Sequence, residues 1–277
     1  MAATDQVGIL RLGPDDALGG LALSTEAQWN QNEADWRFFL TQGTGFGARD
    51  NDGRLIATAA LLPYSSGNAW ISMVLVTASS RRRGLATRLV DACLDAASKQ
   101  GFTTWLDATP AGATVYGPLG FAPTLELRRL RLENFVAPEA ATPPLPSSED
   151  LGDFMSRDRR AMGFDRSALL SELGRRPNSR LVSNGDAVAL VRDGRKARHI
   201  GPLYADSADR ALALVDAIVR SETGPVLIDA VSAREEFLNG LTASGWSIER
   251  PFQRMRFGKA TAQAAELPFA VTGPEYG

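Results

Sequence analysis

The pattern of apolar and polar positions in the first half of the chain predicts a strand, a helix and a second strand. The apolar runs Trp70–Val76 and Thr103–Asp107 are typical of buried strands. Between them, Leu85–Gln100 carries apolar residues at helical spacing, which predicts an amphipathic helix.

The region before this unit contains another helical pattern and a hairpin signal. Apolar and aromatic positions recur at helical spacing over residues 25–40. The runs Phe46–Ala48 and Arg54–Leu62 then flank residues 50–53, whose Asp-Gly pair suits the positive dihedral angles of a tight turn. The first half is therefore predicted to run helical segment, hairpin, strand, helix, strand, helix and strand.

The predicted strand and helix are joined by a short basic segment, Arg81-Arg82-Arg83-Gly84-Leu85-Ala86-Thr87. Amides at a helix start have no intrahelical partner, and the helix dipole places partial positive charge there. The small Gly84 and Ala86 leave room for a phosphate, and the arginines would add charge-assisted bonds. The segment lacks the Gly-Lys-Ser/Thr ending of a Walker loop. It also lacks the three glycines, with an acidic residue about twenty positions on, of a dinucleotide-binding loop. A diphosphate site and a solvated helix cap are the two interpretations.

Further along lies Ala113-Thr114-Val115-Tyr116-Gly117-Pro118-Leu119-Gly120-Phe121. With the basic segment, this run resembles the acetyl-CoA half of GNAT-family N-acetyltransferases. The resemblance is strong over residues 70–130 and looser over the first 65. It implies an α+β (α/β) fold with mixed, mostly antiparallel twisted sheets flanked by helices, and acetyl-CoA as cosubstrate.

The resemblance also implies site residues. The segment 81–87 would hold the diphosphate, and the backbone of Val74, Leu75 and Val76 would pair with the pantetheine arm and polarise the acetyl carbonyl. Tyr116 would be the general acid, because a phenol with a pKa of about 10 is protonated at neutral pH. The alternative is that Tyr116 only packs under the cofactor. Gly117-Pro118 departs from the family pattern, and Pro118 could shorten the preceding helix.

No carboxylate lies on the central strand, where many family members carry a glutamate. Asp35 and Asp107 are candidate general bases, with a helix cap or a solvated charge as the alternative for each. If the acceptor amine is weakly basic, water suffices as the base. By the same resemblance, Trp29, Asn30, Asp35 and Trp36 would contact the acceptor, although aromatics at helical spacing are also typical of a core.

The second half repeats the first. Leu214–Ala217 matches Leu89–Ala92, and Ser244-Gly245-Trp246 matches Leu119-Gly120-Phe121. The phosphate segment is missing, because its place is taken by residues 205–210, whose Asp206 and Asp209 would repel a diphosphate. The half resembles the degenerate module of tandem-GNAT bacterial proteins. This predicts one cofactor site and domains at 1–135 and 151–277, joined by a proline-rich linker at 136–150.

Composition narrows the picture only slightly. The net charge of −2 gives no global attraction to nucleic acid or an anionic membrane, and no apolar run approaches the length of a membrane span. One cysteine and one histidine, Cys93 and His199, cannot supply a zinc set, and His199 is expected to be structural. No secretory signal precedes Thr4, so the cytoplasm is the expected location. The second half is expected to shape the acceptor cleft or a homodimer surface.

The predicted function is acetyl-CoA-dependent N-acetyltransfer to a primary amine of a small molecule or peptide, by direct attack in a ternary complex. The alternative is a CoA-binding regulatory or scaffold protein whose transferase chemistry has lapsed. The missing strand glutamate and the degenerate second half favour that alternative.

Overall fold

The computed structural model describes residues 7–133, 151–259 and 264–277, which form two compact units. The first unit ends at Trp105 and the second begins at Leu106, within a single strand. The linker predicted at 136–150 lies outside the described residues, as does the N-terminal segment around Thr4. The domain boundaries at 135 and 150 therefore stay a prediction.

The first unit contains strands in the order β1-β2-β3-β4-β5. Neighbours among the first four are antiparallel, whereas β4 and β5 are parallel. The predicted hairpin is confirmed, with Asp50 N donating to Arg54 O at 2.9 Å and Gly53 at φ +79°. The strands are β1 (Leu10–Leu12), β2 (Thr44–Arg49), β3 (Leu55–Tyr64), β4 (Asn68–Val76) and β5 (Thr103–Ala108).

Three α-helices belong to this unit, α1 (Ala17–Glu26), α2 (Glu33–Gln42) and α3 (Leu85–Ser98). The single helical segment expected over residues 25–40 is wrong, because two helices meet there. Asn32 starts the second helix through a capping box in which Asp35 N donates to Asn32 Oδ1 at 3.0 Å, and Asn32 N donates to Asp35 Oδ2 at 2.9 Å. This reciprocal cap fixes a new helix start.

The core of the first unit lies where the helices cover the sheet. One face of α3 packs on β2, β3 and β4, since its buried residues recur at helical spacing. Helices α1 and α2 also pack on β3, with Trp36 and Phe39 fully buried. A side chain at Gly20 would lie 2.3 Å from the Trp36 ring, so only glycine allows this close packing of α1. The buried residues of α3 are Leu85, Leu89, Val90, Cys93 and Ala97.

The second unit contains strands in the order β11-β6-β10-β9-β8-β7. β6 lies between β10 and β11 and is antiparallel to both, while β9 and β10 are parallel. Its apolar core includes Leu130 of β6, Val191 of β8 and Ile228 of β10. The strands are β6 (Ala122–Leu132), β7 (Arg180–Asn184), β8 (Ala187–Arg192), β9 (Arg198–Tyr204), β10 (Val226–Val231) and β11 (Ser247–Phe257).

Five helices accompany these strands within the described ranges: α4 (Pro110–Tyr116), α5 (Leu151–Met162), α6 (Ser167–Arg175), α7 (Ala208–Val219) and α8 (Glu235–Ala243). The order β2-β3-β4-α3-β5-α4-β6 recurs as β7-β8-β9-α7-β10-α8-β11. We call these two runs the first repeat and the second repeat. The matched segments Leu89–Ala92 and Leu214–Ala217 lie on the corresponding helices α3 and α7. The predicted α+β fold and internal repeat are thereby confirmed.

Candidate functional site

The connection from β4 to α3 is the loop Thr77–Gly84, which includes a 3-10 turn at Ala78–Ser80 and is exposed except at Thr77 and Ser80. Two of its residues have left-handed dihedral angles, Arg82 at φ +60° and Gly84 at φ +73°. Left-handed residues turn successive amides toward one side, as in anion-binding nests. Leu85, 3% exposed, anchors the end of the loop in the core.

The start of α3 has no side-chain cap. The first intrahelical bond in the described residues runs from Arg88 N to Gly84 O at 3.1 Å, which leaves the amides of Leu85, Ala86 and Thr87 without i−4 partners. Arg81, Arg82 and Arg83 are exposed around the loop. Free amides, a helix dipole and three guanidinium groups form a local environment suited to a diphosphate.

A β-bulge interrupts β4 just before this loop. Thr58 of β3 pairs with Leu75, and Ala60 pairs with Ser72, so Met73 and Val74 together oppose one residue of β3. Met73 has φ +53°, and its carbonyl accepts a 2.8 Å bond from Thr58 Oγ1. Bulges re-aim the backbone and are common next to active sites. This bulge was not predicted from the sequence.

The pairing of β4 with β5 ends early. It runs from Asn68–Thr103 to Trp70–Trp105, well before β4 itself ends at Val76. The stacked rings of Trp70 and Trp105, 6.5 Å apart, lie at the paired end. Along this edge, Val74, Leu75 and Val76 are not paired with β5 in the described residues. Their pairing with a pantetheine arm stays a prediction.

Glu26, the last residue of α1, contacts the start of the loop. Its carboxylate accepts from Thr77 Oγ1 at 2.7 Å and from Ala78 N at 2.6 Å. The bond from Ala78 N and then the bond from Thr77 lower the pKa of Glu26 below its usual value. Glu26 lies three residues before Trp29, and its contact with the loop was not predicted from the sequence.

Tyr116 is the last residue of α4 and belongs to the second compact unit. Its side chain is 9% exposed, and its ring centroid lies 6.0 Å from that of Phe121. Gly117 follows the helix, and Pro118 lies just beyond, in agreement with a helix shortened by proline. The role expected for Tyr116 stays a prediction.

The two candidate bases are both engaged. Asp35 forms the α2 capping box described above. The Asp107 side chain is fully buried and accepts two bonds from Arg254, at 2.8 and 2.9 Å. Burial raises the pKa of Asp107, and Arg254 opposes that rise. These contacts favour the cap for Asp35 and, for Asp107, a buried ion pair in place of the solvated charge expected.

The candidate acceptor residues differ in burial and in their contacts. Trp36 is 1% exposed and donates from Nε1 to Ser24 Oγ at 2.9 Å, which favours the core interpretation. Trp29 is half-buried and Asn30 is buried, both in the α1–α2 connection. On β4, the buried Ser72 Oγ has no hydrogen-bond partner within the described ranges.

The second repeat treats the corresponding helix start differently. Its connection is only Ala205–Ser207, and Ser207 Oγ caps α7 by accepting from Arg210 N at 3.3 Å. Asp206 is exposed and pairs with Arg157. The prediction that the basic loop is missing here is confirmed.

The bulge recurs in β9, but the cleft beside it is filled. Ala189 pairs with Leu203 and Val191 pairs with Ile200, so Gly201 and Pro202 oppose one residue. The C-terminal segment Phe269–Val271 then lies between β9 and β10. Its main-chain bonds are Leu203 N to Ala270 O at 3.0 Å, Phe269 N to Leu203 O at 2.9 Å, Val231 N to Phe269 O at 3.0 Å and Val271 N to Asp229 O at 3.0 Å.

This segment is packed as tightly as a core strand. Phe269, Ala270 and Val271 are at most 1% exposed. A side chain at Gly201 would lie 2.1 Å from Val271 O, so only glycine lets the segment pass. The signal for this segment in the sequence is the short apolar run at residues 268–271.

Beside the filled cleft lies a buried charge cluster. Asp229 accepts from Arg129 Nε and Nη2, both at 2.8 Å, and lies 2.9 Å from His199 Nε2. Although burial alone would raise it, Arg129 and His199 hold the pKa of Asp229 below its usual value. Burial, then the charge of Arg192, lowers the pKa of His199. The ring is therefore neutral at pH 7, as a structural histidine should be.

In the described part of the chain, no group of three or more His, Cys, Asp or Glu residues is arranged to hold a metal ion. Over residues 7–133, 151–259 and 264–277, no helix combines the length and apolar character that crossing a bilayer requires.

Comparison with known proteins gives consistent results for both repeats. The acetyltransferase (GNAT) family model matches residues 19–121, and a second acetyltransferase (GNAT) domain model matches residues 155–270. The uncharacterised N-acetyltransferase YitH of Bacillus subtilis (strain 168) is 25% identical over 254 residues, covering 86% of this chain and 87% of YitH. The holothin acyltransferase of Pseudoalteromonas sp. (strain SANK 73390) is 26% identical over 234 residues, covering 80% and 78%.

A crystal structure of a Pyrococcus horikoshii protein proposed to be an acetyltransferase has the same fold. It superposes with a TM-score of 0.81 at 19% identity and covers 100% of this chain and 98% of its own. One GNAT model matches each repeat, and the two relatives extend across both. The chain therefore belongs to the GNAT family of acetyltransferases, as a tandem protein with two GNAT domains.

Proposed function

We propose that this transferase binds one acetyl-CoA per chain, in the first repeat. The diphosphate contacts the amides of Gly84–Thr87, and the side chains of Arg81, Arg82 and Arg83 surround it. The observation that carries this proposal is the uncapped start of α3, beside two left-handed residues, where the second repeat has Ser207 in its place.

The pantetheine arm is proposed to pair with the edge formed by Val74, Leu75 and Val76. The second repeat supports this assignment, because Leu203, at the position of Leu75 beside the bulge, donates its N–H to an inserted peptide. By this equivalence, Leu75 N–H faces the first cleft and polarises the acetyl carbonyl as charge develops on its oxygen.

The proposed reaction is direct attack of a primary amine on the thioester. The N–C bond forms, the C–S bond breaks, and Tyr116 donates a proton to the departing thiolate. A phenol pKa of about 10 lies near the thiol value of about 8.5, so the transfer is nearly balanced. The attacking nitrogen loses its proton to water. The unpartnered Ser72 hydroxyl, next to the bulge, can bind that water.

The acceptor is proposed to be an amine of a small molecule or peptide. Trp29 and Asn30 remain as its contacts, while Asp35 and Trp36 serve helix α2 and the core. The holothin acyltransferase, by its name, acts on a small molecule, which supports the first class. A cytoplasmic location and a homodimer stay predictions.

The test is thiol release from acetyl-CoA over a panel of small-molecule and peptide amines. We expect Tyr116→Phe to lower kcat by at least about a hundredfold with little change in coenzyme affinity. Tyr64→Phe, on a half-buried tyrosine at the end of β3, is the matched control. Binding without turnover on any amine would favour the regulatory or scaffold alternative.

A further inference from the structure

One contact in the first unit joins two parts of the site that the proposed function leaves separate. Glu26 ends α1, three residues before Trp29, which the resemblance assigns to the acceptor. Its carboxylate nevertheless binds Thr77 and Ala78, where the coenzyme loop begins, at 2.7 and 2.6 Å. Gln28, at φ +60°, turns the chain away immediately afterwards.

The contact supplies a hydrogen-bond acceptor for the start of the 3-10 turn, which has no side-chain cap of its own. The 3-10 turn Ala78–Ser80 has no side-chain cap from Thr77, the residue before it, so the Ala78 amide is satisfied by Glu26. A carboxylate that accepts an amide and a hydroxyl forms charge-assisted bonds, which are stronger than neutral ones. Both bonds lower the pKa of Glu26, so the carboxylate is ionised at neutral pH.

The loop has other contacts as well, among them the main-chain bond from Thr77 N to Ile56 O of β3 at 2.9 Å. Arg81 Nε donates to Val76 O at 3.2 Å, and Ser80 N donates to Thr77 O at 3.0 Å. Both bonds hold the loop to itself or to the end of β4. In the described residues, Glu26 ties the start of the loop to helix α1.

We infer that Glu26 is a positioning residue for the coenzyme loop: by bonding Thr77 and Ala78, it fixes the path that brings the Gly84–Thr87 amides to the diphosphate. The inference rests on the proposed function, because it assumes that this loop holds the coenzyme. It assigns Glu26 to the coenzyme rather than to the acceptor.

Electrostatic repulsion alone predicts the opposite change in coenzyme affinity, so the direction of the change distinguishes the two explanations. A negative charge beside an anion site repels the anion, so its removal should tighten coenzyme binding. A positioning role requires the reverse. We expect Glu26→Gln to raise the Kd for acetyl-CoA by about fivefold or more, as loss of a charged hydrogen bond would.

A second pair of variants leaves the charge unchanged. Thr77→Val removes the hydroxyl that Glu26 binds and should also raise Kd by about threefold or more, whereas Thr77→Ser keeps the hydroxyl and should stay within about twofold. Glu33→Gln is the charge control, because Glu33 lies on α2 in an exposed ion pair with Arg37.

The measurements are calorimetric Kd values for acetyl-CoA and steady-state kinetics of the full chain. The KM for acetyl-CoA should rise with Kd, while kcat at saturating coenzyme changes by less than about twofold. A residue that only stabilised the fold would lower the melting temperature without this split.

The outcomes distinguish failure of the positioning role of Glu26 from failure of the proposed coenzyme site. Weaker binding by Glu26→Gln and Thr77→Val, with both controls unchanged, supports the inference. Unchanged or tighter binding by Glu26→Gln overturns it while leaving the coenzyme site in place. A wild-type chain that does not bind acetyl-CoA overturns the proposed site and, with it, the positioning role of Glu26.

Discussion

The two repeats share one order of elements but use the same backbone positions differently. After the central strand, the first repeat has the exposed loop Thr77–Gly84 and an uncapped helix. The second has the short connection Ala205–Ser207 and a serine cap. The helix start that can bind a ligand in one repeat is satisfied by its own chain in the other.

The clefts between the parallel strands differ in the same way. Pairing of β4 with β5 ends at Trp70, and pairing of β9 with β10 ends at Ile200. Past Ile200, Phe269–Val271 bonds to both strands and takes the place that a pantetheine arm is proposed to take beside β4. The cleft of the second repeat is thus filled by the chain's own peptide, with its bulge and strand order intact.

The largest effect is expected from substitution of Phe269, which anchors the inserted peptide Phe269–Val271 in the second repeat. Phe269 lies 5.2 Å from Phe237 between ring centroids, and the Arg234 guanidinium lies 4.2 Å from its ring. Phe269→Ala should lower the free energy of unfolding by about 3–5 kcal/mol, measured in urea. Phe257→Ala, at a 38% exposed position, should cost less.

Coenzyme stoichiometry gives this variant a second readout. One acetyl-CoA per chain is expected by calorimetry in both wild type and Phe269→Ala, because the second loop remains short and capped. Binding of a second equivalent would show that the peptide alone closes the second cleft. The short, capped connection of the second repeat would then not be what prevents coenzyme binding there.

The next largest effect is expected at the uncapped helix. Gly84→Glu places a negative charge at the amides and puts a side chain on a φ +73° backbone. Like charges at such close range cost several kcal/mol, so the Kd for acetyl-CoA should rise by at least about a hundredfold. Ala208→Glu, at the matching helix start, should leave Kd unchanged. Unchanged affinity for Gly84→Glu would move the coenzyme elsewhere.

Sequence reasoning succeeded where the signal is local. The helix of α3, the hairpin turn at Gly53 and the missing basic loop each depend on residues close together in the chain. The break between α1 and α2 was missed because a capping box outweighed the apolar spacing. The Met73 bulge and the Glu26 contact were also missed, since each depends on a partner that only the folded sheet brings near.

A smaller prediction concerns the polar interior of the second repeat. His199 holds the register position on β9 that Ile71 holds on β4, since each lies one residue pair before the pair that precedes its bulge. Its pKa is lowered in the folded state, so the unfolded chain binds the proton first. Stability is therefore full above about pH 6.5 and is lost as the pH falls, by at most about 1.4 kcal/mol per pH unit.

The chain has one histidine, which makes the measurement specific. Urea unfolding at pH 7.5, 6.5 and 5.5 should show that the free energy of unfolding falls more steeply with decreasing pH for wild type than for His199→Gln. Equal slopes would mean that His199 is protonated in the folded state, and the neutral ring assigned to the second repeat would be wrong.

The mildest test is the cap itself. Ser207→Ala removes the oxygen that accepts from Arg210 N and should destabilise the second unit by about 1 kcal/mol, whereas Ser207→Gly should cost only a few tenths. Chemical unfolding measures both, and the Kd for acetyl-CoA should not change in either variant. The cap then serves helix α7 alone. A fall in coenzyme affinity on Ser207→Ala would instead put a ligand at the second helix start, and the two repeats would no longer differ in what their helix amides bind.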